Sequence, residues 1–415
     1  MKIINLIFKL KNFSNILFDQ AIVSGSNFLL SIFILRFLGT EIFGIFSFLW
    51  LFILFLNSIQ MSLIISPMMS NFPKQNYKNR NKYLSGIFLY QILFCLFFGT
   101  LLILFINIGG NKFNNFNISK FSYSLVFLFI FMQLQQFFRR LSFLNKDYNK
   151  AIISDLISYS ILFILIIYFE ISKLLNLDLL IWLLGISFFF GNIIFILDIF
   201  KFKINFFNFL NSFCNNWKIS KWLFLTSLLQ WFSGNFWIIN TGLILGPYAL
   251  GVLRACQTII NITNLAFQSF ENLFPSKFSE IYINKGKKHF KEYFINFIKN
   301  GLVYIVLTII FIIFFSKKIL IIVFGLDISQ YSKILIYLSL ILPITFLIFP
   351  ITYSLRTVGK TKYIFIGYLL SSLFTLSFSN IIISKFDMPG TVLGLFLSSI
   401  IVLLVTFYSY KKNIE

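Results

Sequence analysis

Runs of 18 or more apolar residues recur from one end of this 415-residue chain to the other, and no other feature limits its fold so strongly. About 20 such residues in a helix cross the roughly 30 Å hydrocarbon layer of a bilayer. In lipid every backbone N–H and C=O must be paired, which leaves helices and closed barrels. Barrel strands are about half as long and alternate apolar with polar residues. These runs do neither. A soluble domain would also need more polar surface than 58% hydrophobic and 12% charged residues supply. The expectation is an all-α polytopic membrane protein.

Twelve spans are expected, near 16–37, 42–65, 83–107, 120–138, 151–170, 175–199, 222–244, 248–273, 299–316, 331–354, 363–384 and 390–409. The stretch 1–18, with Lys2, Lys9 and Lys11 among Ile and Leu, is expected to lie in the interface as an amphipathic helix rather than to be a cleaved signal peptide. With twelve spans, the basic residues sort by side at every loop. One side holds 26 of the 35 lysines and arginines and the other side holds 8, with Arg254 alone inside a span. The excess marks the cytoplasmic side, so both termini are expected in the cytoplasm. The net charge of +22 then serves topology and anionic lipid headgroups, not nucleic acid. Cys95, Cys214 and Cys256 fit no metal spacing, and His289 is the single histidine. No cofactor, metal site or catalytic constellation is implied.

The two halves echo each other. The first reads Ser24-Gly25-Ser26-Asn27-Phe28, then Leu38-Gly39, then Gly44 five residues on. The second reads Ser233-Gly234-Asn235-Phe236, then Leu245-Gly246, then Gly251, again five on. Pro67 and Pro275 follow at the ends of the next spans. A duplication is expected, giving six-helix bundles over 1–205 and 206–415 as parallel repeats. The glycines also have a plainer role in turns and close helix contacts.

Asp19-Gln20, the Ser24–Phe28 run, Arg36-Phe37-Leu38-Gly39, Phe43-Gly44-Ile45-Phe46, and Leu245-Gly246-Pro247 through Gln257, with Glu271-Asn272 and Pro275, resemble the polysaccharide transporter (O-antigen flippase) branch of the multidrug/oligosaccharidyl-lipid/polysaccharide (MOP) exporter superfamily. That resemblance implies a MATE-like, V-shaped pair of six-helix bundles. It further implies a flippase that moves a polyprenyl-diphosphate-linked oligosaccharide by alternating access for O-antigen or other surface polysaccharide.

Polar groups at bilayer depth carry the rest of the reading, because each is costly there. Arg254, Gln257, Asn261, Asn264, Gln268, Glu271 and Asn272 recur at spacings of three or four in the eighth span, which puts them on one helical face. They are expected to form a hydrophilic wall for sugars, with Arg254 on the diphosphate, since a guanidinium suits two phosphate oxygens at once. The alternative is an interhelical seam with Arg254 paired to an acid. Asn27 and Asn235 are the candidates of spans one and seven, beside Gln20, Asn57, Gln60 and Asn240. Asp19, Asp155, Asp198 and Glu271 are candidates for coupling or gating by a proton or sodium ion. Asp19 also reads as a simple helix N-terminal acid, and Asp155 and Asp198 as partners of the basic loops. Arg36 reads as a snorkelling residue, and Arg139 and Arg140 as topology charges. A MATE-type drug/cation antiporter is the alternative function. A membrane glycosyltransferase, a polysaccharide polymerase and a channel rank below it. Membrane lipids and polysaccharide polymerase machinery are the further partners expected.

Overall fold

The computed structural model describes residues 2–109, 116, 118–203, 205–358 and 360–413, with side chains at 2–17, 77–78, 264–285, 287–288, 290, 357 and 413 outside the description. Among the described residues all regular structure is helical. The long helices are α1 (Lys2–Leu38), α2 (Thr40–Gln60), α3 (Tyr77–Gly109), α4 (Ser122–Leu144), α5 (Tyr148–Ile171), α6 (Leu177–Asn192), α7 (Phe206–Leu245), α8 (Pro247–Phe324), α9 (Ser332–Ser339), α10 (Leu342–Thr357) and α11 (Lys362–Asn413). Nine helical stretches among the described residues are long and apolar enough to cross a membrane. The chain is a multi-pass membrane protein. One stretch, Lys362–Lys412, breaks at Asp387, where φ is 53°, so it contains both of the last two expected spans. Pro389 has no N–H and crowds the carbonyl four residues back, which ends the ladder there. Likewise α8 breaks at Gly286. The backbone of 2–17 is helical and runs unbroken into the first span.

By internal contacts the chain forms two compact units, Met1–Leu30 with Leu49–Leu228, and Ser31–Phe48 with Leu229–Glu415. In the first, Pro67 leaves the carbonyl of Leu63 without its usual helical donor. A π turn at Met61–Ile65 absorbs the register change, and the Ser220 hydroxyl donates to that carbonyl at 3.0 Å. Asn216 lies one turn earlier on α7 and accepts from Asn71 and from the Tyr83 hydroxyl. These bonds hold the first part of α7 against the stretch that follows α2 and against the start of α3.

In the second unit the repeated glycines take matching conformations. Gly39 and Gly246 have φ of 90° and 89°, a region that only glycine enters without strain. Each turns the chain into the next helix. Gly44 and Gly251 then meet where α2 and α8 cross. Farther along, the Trp237 side chain of α7 is fully buried. Its indole N–H reaches Thr375 at 3.0 Å and Ser398 at 2.8 Å, and its ring lies against Gly394.

Candidate functional site

Apolar helices carry few charges, so the charges that do sit inside them define the site. In the first unit Asp19, Arg139 and Asp155 converge, at 1%, 5% and 3% exposure. Arg139 Nε donates to Asp19 Oδ2 at 3.0 Å, and an Nη atom also contacts that oxygen. The same Nε lies 3.1 Å from Asp155 Oδ2. The Gln135 amide, one turn before Arg139 on α4, donates to Asp155 Oδ1 at 2.9 Å and to Ser154 and Ser158 of α5. Two carboxylates thus share one ion-paired guanidinium. Desolvating three charges costs several kcal/mol per ion, which only close pairing and hydrogen bonds offset. Among the described residues Asp19 Oδ1 accepts no hydrogen bond. Next to the cluster, the Tyr159 hydroxyl is 3.5 Å from Asn27 Oδ1.

Several expectations change here. Asp19 is mid-helix in α1, not a helix N-terminal acid. Arg139 is not a loop charge but the centre of the cluster, and Asp155 pairs with it inside the helices instead of with a basic loop. The signal was available: two acids and one arginine near the same ends of three expected spans. What hid it was that Arg139 also satisfied the loop-charge count. Asp198 does pair with basic residues, accepting from Lys150 at 2.7 Å and Lys201 at 2.6 Å. Arg36 does not merely snorkel. Its Nε donates to the Val323 carbonyl at 3.0 Å and an Nη to that of Ile322, two carbonyls at the end of α8 that have no helical donor.

In the second unit Arg254 is half-buried. Its Nη1 donates to Gln257 Oε1 at 3.2 Å, and among the described residues no carboxylate stands within ion-pair distance of it. Gln257 is half-buried and Asn261 exposed. The side chains of Asn264, Gln268, Glu271 and Asn272 lie outside the described residues. Asn235 is half-buried and bonds back to the Trp231 carbonyl at 3.3 Å. Asn240 is buried and donates to Ser379 and Asn380 of α11, a helix-joining role. Gln60 has the same kind of role, bonding Gln91 and the Gln133 carbonyl. A cavity of about 260 Å³ lies elsewhere in this unit, lined by Gln230, Ser233, Thr345, Tyr368, Ser398 and Ser399, none of them a candidate from the sequence. Its hydroxyls are scattered over α7, α10 and the two arms of α11 on either side of Asp387, so no spacing in the sequence marks it.

Comparison with known proteins bears on this arrangement. The MatE family model matches residues 223–382. An inward-facing multidrug resistance MATE family transporter of the MOP superfamily superposes with a TM-score of 0.78, at 12% identity over 95% of this chain and 94% of that one. The chain has the MOP-superfamily fold. Lipid II flippase MurJ in an inward closed conformation gives a TM-score of 0.71 at 19% identity, covering 96% of this MOP-fold chain and 87% of MurJ. The capsular polysaccharide biosynthesis protein CapF of Staphylococcus aureus is 24% identical over 208 residues, 48% of this chain and 52% of CapF. The match therefore spans about half the length of that curated relative.

Proposed function

We propose that this MOP-fold transporter is a flippase for a polyprenyl-diphosphate-linked oligosaccharide. It works by alternating access in a bacterial inner membrane, with both termini cytoplasmic, and serves the synthesis of a surface polysaccharide. The observation that carries this reading is Arg254: a half-buried guanidinium in a long apolar helix, with a neutral amide for partner. A cation with no carboxylate beside it among the described residues calls for an anionic ligand at such a position, and a diphosphate supplies two charged groups in the fork geometry that arginine matches. Gln257 and Asn261 extend the face with donors and acceptors for sugar hydroxyls. We assign Asn264, Gln268, Asn27 and Asn235 to the same task, and the bundles 1–205 and 206–415 to the two moving halves. The likeness to MurJ and to CapF supports a lipid-linked glycan, of capsule or O-antigen type, with hand-over to polymerase machinery.

Asp19 and Asp155 are the proposed coupling groups, since they exceed by one the guanidinium that pairs them. Glu271 and Asp198 stand behind them. A second reading, a drug/cation antiporter, is favoured by the MatE match and by these same buried acids. Liposomes decide between the two readings. Protein reconstituted with a fluorescent polyprenyl-diphosphate sugar should translocate it, and Arg254→Ala should abolish the transfer while Arg254→Lys keeps part of it. Full transfer by Arg254→Ala, or transport of a cationic dye in place of the lipid, would overturn the flippase reading.

A further inference from the structure

The end of the first unit that carries its basic loops contains two adjoining cavities, of about 170 and 290 Å³, which share Leu141, Asn145, Asp198 and Lys201. A single water needs roughly 10–15 Å³ on such a measure, so the larger has room for a tetrahedral anion with part of its hydration shell. Its lining is chosen for charge. Lys150 and Lys201 hold Asp198 between them at 2.7 and 2.6 Å, and Lys150 also approaches Asp147 at 3.6 Å. Those two carboxylates balance the two lysines. Arg80 is left over. It borders the larger cavity, stacks on the Phe72 ring at 5.1 Å, and has one long bond, Nε to the Gln75 carbonyl at 3.4 Å. Neither Nη atom has a hydrogen-bond partner and no carboxylate lies within ion-pair distance among the described residues. The side-chain amides of Asn81 and Asn145 open on the same space and have no hydrogen-bond partner among the described residues either.

We propose that this cavity binds a phosphate oxyanion, with Arg80 gripping it through both Nη atoms and Asn81, Asn145 and Lys201 donating from the sides. Stacking on Phe72 fixes the guanidinium plane, so the fork is already oriented when the anion arrives. Balanced lysines and an unbalanced arginine give the cavity one net positive charge, which suits a single phosphodiester or the outer phosphate of a diphosphate. Such a group belongs to an anionic phospholipid headgroup or to a soluble diphosphate. The proposal stands on the first unit alone and does not rest on the glycan reading.

The test uses the full chain, purified in detergent and stripped of lipid, with bound species read by native mass spectrometry. Phosphatidylglycerol and pyrophosphate are the probes, and zwitterionic phosphatidylcholine is the control. Retention of phosphatidylglycerol alone assigns the site to lipid headgroups. Retention of pyrophosphate as well assigns it to diphosphates generally. In either case Arg80→Ala should weaken binding about tenfold or more, the value of a charge-assisted hydrogen bond. Asn145→Asp, at an exposed position that tolerates the change, should do the same by placing a negative charge in the cavity. If neither probe is retained above the control, or if both folded variants bind as the native chain does, the proposal fails. No glycan takes part in this measurement, so its failure leaves the role of Arg254 standing.

Discussion

Gly44 of α2 and Gly251 of α8 lie against each other's helices. A Cβ on Gly44 would strike the carbonyl oxygen of Pro247, and one on Gly251 would strike that of Thr40. Each residue stands five after its own left-handed glycine, Gly39 or Gly246. The spacing repeated in the two halves of the sequence is thus one half of a reciprocal contact. Backbone cannot retreat as a side-chain tip can. Gly44→Leu and Gly251→Leu are each expected to lower stability by at least about 1–3 kcal/mol, read as a fall in detergent melting temperature. Gly25→Ala, which meets nothing within 4 Å, should leave it unchanged.

Removing Arg139 strands two buried carboxylates. Arg139→Ala should cost roughly 3–5 kcal/mol, seen as poor expression or a much lower melting temperature. The triple change Asp19→Leu, Arg139→Met, Asp155→Leu should recover most of that loss, because a buried ion cluster replaced whole by apolar side chains is close to neutral. A stable triple variant without transport would show that the charges are kept for function. A triple variant as unstable as Arg139→Ala would refute this account of the cluster.

Arg36 caps the end of α8 through the Ile322 and Val323 carbonyls. With Arg36→Ala these accept only from solvent or nothing. The expected cost is about 1 kcal/mol, and amide exchange should rise locally at residues 320–326, not throughout the unit.

The Trp237 indole joins α7 to α11 through Thr375 and Ser398. Trp237→Phe keeps most of the apolar ring but leaves two buried hydroxyls short of a donor, for about 1–3 kcal/mol. Gly394→Ala pushes a methyl group into the same ring and should destabilise comparably. The two combined should fall short of their sum, since both act on one contact.

Helices, membrane and the repeated glycine spacing were legible in the sequence, because lipid forces each apolar run to satisfy its own backbone and glycine at a fixed spacing has few physical uses. Gly39 and Gly246 could be read one residue at a time. The partners of the charges could not. Asp19 lies 120 residues before Arg139 in the chain, and Arg139 fits a loop-charge pattern as well as it fits a buried cluster. Likewise nothing local says that Ser220 serves the carbonyl freed by Pro67, or that Arg80 is left unbalanced while Lys150 and Lys201 are satisfied. Ion pairing acts over a few ångströms in space, whatever the distance along the chain. Which charges neutralise each other, and which stay open for a ligand, is therefore decided only when the helices pack.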